Sequence, residues 1–191
     1  MQLFKQLGLA TFLTTAAFTN SFAADYVIDT EGAHASINFE IPHLGYSILL
    51  GRFNHFSGEF SYDEKKPEKA EVRVEIDTTS LDSNHAERDK HIKNKDFLDV
   101  STYPRSVFVS DSFEPTEDGG ILKGYLTLKD VTKPIEIVVT NIGAGEDPWG
   151  GYRRGFSGET KLTLKDFNID TDLGAASRQV TLKLHIEGIK K

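Results

Sequence analysis

The stretch Val180-Thr-Leu-Lys-Leu-His-Ile-Glu187 decides the fold class, because apolar and polar side chains alternate along it at every position. A period of two puts successive side chains on opposite faces of an extended chain, so this strand has one apolar face and one wet face. The same period recurs in six upstream stretches, at residues 37–41, 56–62, 72–76, 122–128, 135–139 and 156–164. Short polar connections such as residues 63–67 favour antiparallel neighbours. We therefore expect an all-β sandwich or barrel of about eight strands, without βαβ units.

Residues 84–94 break the alternation. Asn84 with Glu87 three residues later matches a capping box, and Glu87 with His91 has the i, i+4 spacing of a helix surface pair. Only Ala86 and Ile92 are apolar in this segment, so it cannot bury a broad stripe. The pattern predicts one short helix that lies across a surface or an opening.

The N-terminus has the features of an export signal. Lys5 precedes an apolar run over residues 7–18, and Ser21 and Ala23 place small residues at the −3 and −1 positions of a cut before Ala24. We predict a signal peptide over residues 1–23, a single domain over residues 24–191 and a periplasmic location. No later segment approaches ~20 consecutive apolar residues, so stable membrane insertion is not expected.

Charge and cysteine content exclude several function classes. Removing residues 1–23 loses only Lys5 and changes the formal charge from −7 to −8. A field of this sign disfavours nucleic acid and anionic surfaces. The chain has no cysteine, which excludes thiolate nucleophiles, cysteine-bound zinc and iron–sulfur clusters.

Several blocks of sequence resemble a known family. They are His34-Ala-Ser-Ile-Asn-Phe-Glu-Ile-Pro-His-Leu-Gly-Tyr46, Asn84-His-Ala-Glu-Arg-Asp-Lys-His-Ile92, Tyr103-Pro-Arg-Ser-Val-Phe108, Gly124-Tyr-Leu-Thr-Leu-Lys-Asp-Val-Thr-Lys-Pro134 and Leu164-Lys-Asp-Phe-Asn-Ile169. In this order they are similar to the YceI-like polyisoprenoid-binding proteins. The resemblance implies an antiparallel eight-stranded, lipocalin-like barrel whose apolar channel takes up isoprenoid quinones or polyprenyl lipids. It implies no enzymatic activity and no cofactor other than such a bound lipid.

If the apolar faces of the strands point inward, they supply the walls of that channel. The candidate lipid-binding residues are Phe39, Phe56, Phe60, Val74, Ile76, Leu126, Leu128, Ile137, Val139, Leu162, Leu164, Leu184 and Ile186. The alternative is that these side chains pack against one another and fill the barrel. Glycines within strands, such as Gly51 and Gly124, slightly favour an interior with free volume.

Asn84, Arg88 and His91 are the candidate head-group residues at the barrel mouth. They could donate to a quinone carbonyl or a pyrophosphate. Alternatively, Arg88 pairs with a carboxylate and fixes the helix over the barrel end. Trp149, the only tryptophan, lies in a glycine-rich loop and is expected to act as a lid or a plug.

Metal and catalytic patterns are weak. His85 and His91 are six residues apart, and no His-x-His or His-x-x-x-His pair occurs. No Gly-x-Ser-x-Gly motif marks an activated serine. We predict neither a metal site nor catalytic residues. An enzyme acting on a hydrophobic substrate, a stress-response module without ligand, and a homodimer remain open alternatives.

Overall fold

The computed structural model describes residues 23–191, so the predicted signal peptide lies outside the described residues except for Ala23. Eleven strands are present there: β1 Ala24–Ile28, β2 Ser36–His43, β3 Ser47–Phe53, β4 Phe56–Tyr62, β5 Glu71–Asp77, β6 Leu81–Asp82, β7 Arg105–Thr116, β8 Gly119–Leu128, β9 Val131–Glu146, β10 Tyr152–Thr163 and β11 Gln179–Lys190. One α-helix, α1, spans Ala86–Ile92. Short 3₁₀ turns cover Pro67–Lys69, Thr78–Ser80, Leu164–Phe167 and Ala175–Ser177.

These strands form one closed barrel of eight antiparallel strands. Three of the eight are interrupted. β2 continues β1 along β11, β4 continues β3 along the strand that β1 and β2 form, and β6 continues β5 along the strand that β3 and β4 form. Each strand then pairs with the next along the chain. The last strand, β11, closes the ring by pairing with both β1 and β2. The predicted eight-stranded antiparallel barrel with one short helix is confirmed.

The up-and-down course gives the barrel two distinct ends. The helix end carries the β2–β3 hairpin, residues 83–104 with α1, and residues 164–178. The opposite end, which we call the Arg153 end, carries the β4–β5, β7–β8 and β9–β10 connections. The long irregular segments therefore all meet at the helix end.

The start of α1 differs from the sequence prediction. His85, not Asn84, is the N-cap, and its side chain accepts a hydrogen bond from the backbone N–H of Arg88. Asn84 has a positive φ of 60°, and its own N–H donates to Asp82. The predicted capping box is wrong because the chain turns at Asn84 and enters the helix one residue later.

Strand glycines serve aromatic packing rather than empty space. A Cβ at Gly51 would lie 2.1 Å from Cζ of Phe39, the residue directly opposite on β2. A Cβ at Gly124 would likewise overlap the Phe108 ring, and a Cβ at Gly188 would overlap the Phe60 ring. The free volume expected from these glycines is thus taken up by rings that lie flat against the barrel wall.

An ion-pair network ties the Arg153 end together. Nη1 of Arg153 donates to Asp29 (2.6 Å) and Glu187 (2.5 Å), and its Nε donates to Asp147 (2.8 Å). Nδ1 of His34 lies 2.9 Å from the Asp29 carboxylate. The network joins the segment after β1, the β9–β10 loop and β11, which is where the barrel closes.

The carboxylate of Asp29 is almost fully buried in this network. Its pKa is lowered to about 2, first by the hydrogen bond with His34 and then by Arg153 and the N–H of Gly32, against the opposing effect of burial. A lowered folded-state pKa stabilises the fold above the unfolded pKa of 3.8, and this contribution is lost as the pH falls through about 2.

Asp29→Asn is therefore expected to lower the free energy of unfolding by about 1–2 kcal/mol at pH 7. Between pH 4 and pH 2 the difference from the wild type should shrink, because the wild type loses the same interaction by protonation. Urea unfolding across this range measures it, with the exposed Asp111→Asn as the control. A deficit that stays constant down to pH 2 would contradict the assignment.

Candidate functional site

A cavity of about 540 Å³ occupies the helix-end half of the barrel. Strands supply part of its wall through Phe39, Ile76, Leu126 and their neighbours. Other wall residues come from the long segments of this end: Phe97, Leu98, Ile169 and Leu173. The lining is almost entirely apolar, which suits a hydrocarbon guest.

A second, smaller cavity of about 130 Å³ lies toward the Arg153 end. Both cavities touch Ile37, Ile76, Leu126 and Leu182, so these four side chains form the constriction between them. Bulky rings narrow the smaller cavity: Phe60 stacks on Tyr26 at 4.7 Å and meets Phe156 edge-on at 5.6 Å. The interior is hollow at one end and nearly filled at the other.

Arg154 closes the narrow end. Arg154 lies two residues before the inward-facing Phe156 on β10, so its side chain also faces inward, and it is only 8% exposed. Its guanidinium lies over the Tyr62 ring at 4.7 Å and pairs with Glu64. A buried cation at this position leaves the helix end as the apolar route into the barrel.

The structure brings the predicted lipid-binding residues together around these two cavities, with one exception. The lining residues are Phe39, Phe60, Val74, Ile76, Leu126, Leu128, Ile137, Val139, Leu162, Leu164, Leu184 and Ile186. Phe56 is the exception: it packs against the core cluster that contains Tyr26 and Ile28 and borders neither cavity. Phe56 is the first residue of β4 and lies opposite Ile76 on β5.

The sequence predicts that Phe97 and Leu98 return the chain to the core after the helix, and both are buried. That they line the cavity, together with Leu173, was not predicted. These segments have no period-two pattern. The one signal was Phe97-Leu98 directly after the predicted helix, an apolar pair in a polar stretch.

Two of the three predicted mouth residues lie at the large cavity, and the third does not. Arg88 and His91 border the large cavity, whereas Asn84 borders a groove on the outer surface. The His91 ring lies edge-on to Phe97 at 4.8 Å, which orients it at the cavity wall. His43, Asp172 and Ser177 complete the polar rim.

Arg88 is held by a serine rather than by direct pairing with a carboxylate. Its Nε donates to Oγ of Ser83 (2.8 Å), and Nη2 donates to the carbonyl of Ser83 (2.5 Å). The Asp89 carboxylate in turn accepts from the Ser83 N–H (2.9 Å) and hydroxyl. Among the described residues Nη1 of Arg88 has no protein partner, so it is left as a donor at the mouth.

Trp149 is neither a lid nor a plug. Its side chain is 77% exposed at the Arg153 end, where the guanidinium of Arg153 lies 5.4 Å from its ring. That end is remote from the large cavity, so the expectation for this residue is wrong.

One cluster of potential metal ligands was not anticipated. Asp29, His34 and Glu187 place ligand atoms within 4.8 Å of one another. However, Nη1 of Arg153 donates to both carboxylates, so a protein cation already engages their oxygens. The cluster acts as an ion-pair network that closes the barrel.

Over residues 23–191, no helix reaches the length and apolar content that crossing a bilayer requires.

The domain description "YceI-like domain" matches residues 26–188 of this chain. The chain belongs to the YceI-like family. A UPF0312 protein of Shewanella baltica is 53% identical over 191 residues, covering 100% of this chain and 98% of that one. The crystal structure of a Campylobacter jejuni YCEI protein has a TM-score of 0.72 at 27% identity, covering 79% of this chain and 90% of that one.

The YceI-like barrel is also found in more distant solved structures. Burkholderia cenocepacia BcnA has a TM-score of 0.75 at 22% identity, over 84% of this chain and 98% of that one. A polyisoprenoid binding domain from Saccharophagus degradans has a TM-score of 0.62 at 13% identity, over 89% of this chain and all of that one. At these identities the similarity shows a common fold.

Ser83→Ala tests how this YceI-like barrel holds its helix. The substitution removes one partner each from Arg88 and Asp89, so the free energy of unfolding should fall by about 1–3 kcal/mol. Amide exchange over residues 83–92 should also become faster. Ser101→Ala is the matched control, because Ser101 makes only an exposed bond to Asp99; equal effects of both variants would refute a clamping role for Ser83.

Proposed function

We propose that the chain is a periplasmic binding protein for an amphiphilic isoprenoid lipid, an isoprenoid quinone or a polyprenyl chain. It sequesters or carries the lipid without covalent chemistry. The observation that carries this proposal is the apolar cavity of about 540 Å³ inside a barrel of the YceI-like family. The Saccharophagus degradans relative in fold is described as polyisoprenoid-binding, which makes this ligand class the first to test.

The size of the cavities suits a long tail. At about 30 Å³ per non-hydrogen atom, the share of one water molecule in the liquid, the large cavity holds about 18 atoms and the small one about 4. Burying each methylene contributes about 0.8 kcal/mol, while association costs about 4–15 kcal/mol. A five-carbon ligand would barely bind, whereas about twenty carbons give a clear surplus.

The asymmetry of the barrel favours one orientation for the ligand. The tail would extend past the constriction at Ile37 and Leu182 toward the Arg153 end, and the head group would stay at the helix end. Arg88 Nη1 and the His91 ring are the donors we assign to a carbonyl or phosphate oxygen. The twelve side chains around the cavities would contact the tail.

Two alternatives make different demands on the same barrel. An enzyme acting on a hydrophobic substrate would turn over added quinones or prenyl phosphates, and its reactive groups would have to lie at the polar rim. A stress-response module without ligand would need a filled interior, and the large cavity argues against it. The signal peptide pattern at residues 1–23 supports the periplasmic assignment, which cell fractionation tests.

The affinity for prenyl alcohols should rise steeply with length, from one isoprene unit to about four, and then level off, because the cavities hold about 22 non-hydrogen atoms. Changing the head group from alcohol to quinone at a fixed length should alter the affinity by less than about tenfold. Fluorescence displacement across the series measures both effects. A flat dependence on length would count against a tail-dominated site.

Val180→Trp places an indole in the large cavity, since Val180 lines it. Val138→Trp is the matched control, because Val138 is 57% exposed on the outer face of β9. Both variants should fold, and an organic extract of the control should contain a prenyl lipid by mass spectrometry. The extract of Val180→Trp should contain at least about tenfold less.

Equal amounts of lipid in the two extracts would place any ligand outside the cavity. A prenyl-free extract from the wild type, combined with no binding in the length series, would overturn the proposed function.

A further inference from the structure

The hairpin between β2 and β3 exposes an unusual set of large apolar side chains. Leu44 is 55% exposed, Tyr46 87%, Ile48 56% and Leu50 60%. Leu44 also has left-handed backbone, with φ 51°, a conformation that leucine rarely adopts. Contiguous apolar surface of this kind marks an interaction site in soluble proteins more often than it arises by chance.

This apolar surface is continuous with the mouth of the large cavity. Leu44 lines the cavity, and its Cδ2 would lie 3.6 Å from a Cβ on Gly174 across the opening. Ile48 and Leu50 line the groove on the outer face, which shares Phe39, His43, Leu49 and Arg88 with the cavity. A hydrocarbon at the hairpin surface would therefore meet apolar side chains on its way to the interior.

The hairpin also lacks the charge that covers the rest of the chain. Residues 41–51 contain no Asp, Glu, Lys or Arg, although the chain has a formal charge of −7. The segment therefore carries no negative charge that a phospholipid surface would repel. Tyr46 at the tip is a residue type that favours the boundary between head groups and acyl chains.

We propose that this hairpin docks reversibly on a lipid bilayer and holds the mouth against it, so that a lipid passes between membrane and barrel without crossing water. The inference rests on the proposed function, because a long-chain prenyl lipid is stored in membranes. Because the proposed ligand is stored in membranes, a bilayer is favoured over a second copy of this chain as the surface that covers the hairpin. The second copy has one structural argument: over the described residues, β3 pairs on its far side only at Arg52 and Phe53 with β6.

Docking is tested with neutral phosphatidylcholine vesicles and purified protein free of ligand. The wild type should float with the vesicles in a density gradient. Tyr46→Ser/Ile48→Ser/Leu50→Ser should reduce vesicle association at least about tenfold, because interfacial binding scales with the apolar area buried. Val138→Ser/Ile142→Ser, which removes two equally exposed apolar side chains from β9, should float like the wild type. Leu44 is left unchanged because it lines the cavity.

A second measurement does not depend on the stability of the triple variant. In Tyr46→Trp/Trp149→Phe the only indole is at the hairpin tip, and its emission should shift to the blue and be quenched by brominated lipid. In the wild type the only indole is Trp149, at the Arg153 end, and its emission should not change.

The outcomes separate docking from ligand binding. If the wild type floats, the triple serine variant does not, and no prenyl alcohol binds, docking is upheld and the proposed function is overturned. Normal prenyl affinity from detergent micelles, with no vesicle association of the wild type, would overturn docking alone. Equal losses in the tip and control variants would also overturn it. Docking would also be overturned if the wild type formed a dimer and the triple serine variant were monomeric but floated like the wild type. The hairpin would then bind a second copy of the chain.

Discussion

The pairing of β11 with both β1 and β2 is the constraint on which the rest of the structure depends. This closure joins the two edges of the sheet, so hydrogen bonds between neighbouring strands run around the wall and its interior need not be filled. The Arg153 network reinforces the seam where β1 and β11 meet. A sandwich of the same strands would have needed a packed core and would have left no chamber.

Closure is uneven along the barrel axis, and this divides the molecule into two halves. At the Arg153 end, stacked rings and the buried guanidinium of Arg154 occupy the interior. At the helix end, β3 pairs with β6 only at Arg52 and Phe53, and loops and α1 take over part of the wall. The large cavity, its polar rim and the exposed β2–β3 hairpin therefore all lie at the helix end, where β3 has few backbone hydrogen bonds to a neighbouring strand on its far side.

The sequence predicted β2, β4, β5 and β8 to β11, because in each of them apolar and polar side chains alternate, as in residues 180–187. It did not mark β1, β3, β6 or β7. Twelve of the thirteen predicted channel residues border a cavity for the same reason, because side chains that face inward from the strands form part of the wall. The predicted capping box was wrong because Asn84 has left-handed backbone and the helix begins one residue later. Phe56 borders neither cavity, although it lies in register opposite Ile76. It could not assign Phe97 or Leu173 to the cavity wall, since only tertiary contact brings the irregular segments over the barrel mouth.

Phe39 lies flat because Gly51 opposite has no side chain, and a Cβ there would overlap the ring. The ring belongs to the wall of the large chamber. A single methyl group at position 51 would therefore swing an aromatic side chain into the lumen, and the chamber would shrink without any change to its own lining. The volume of this chamber thus depends on a glycine that does not itself line it.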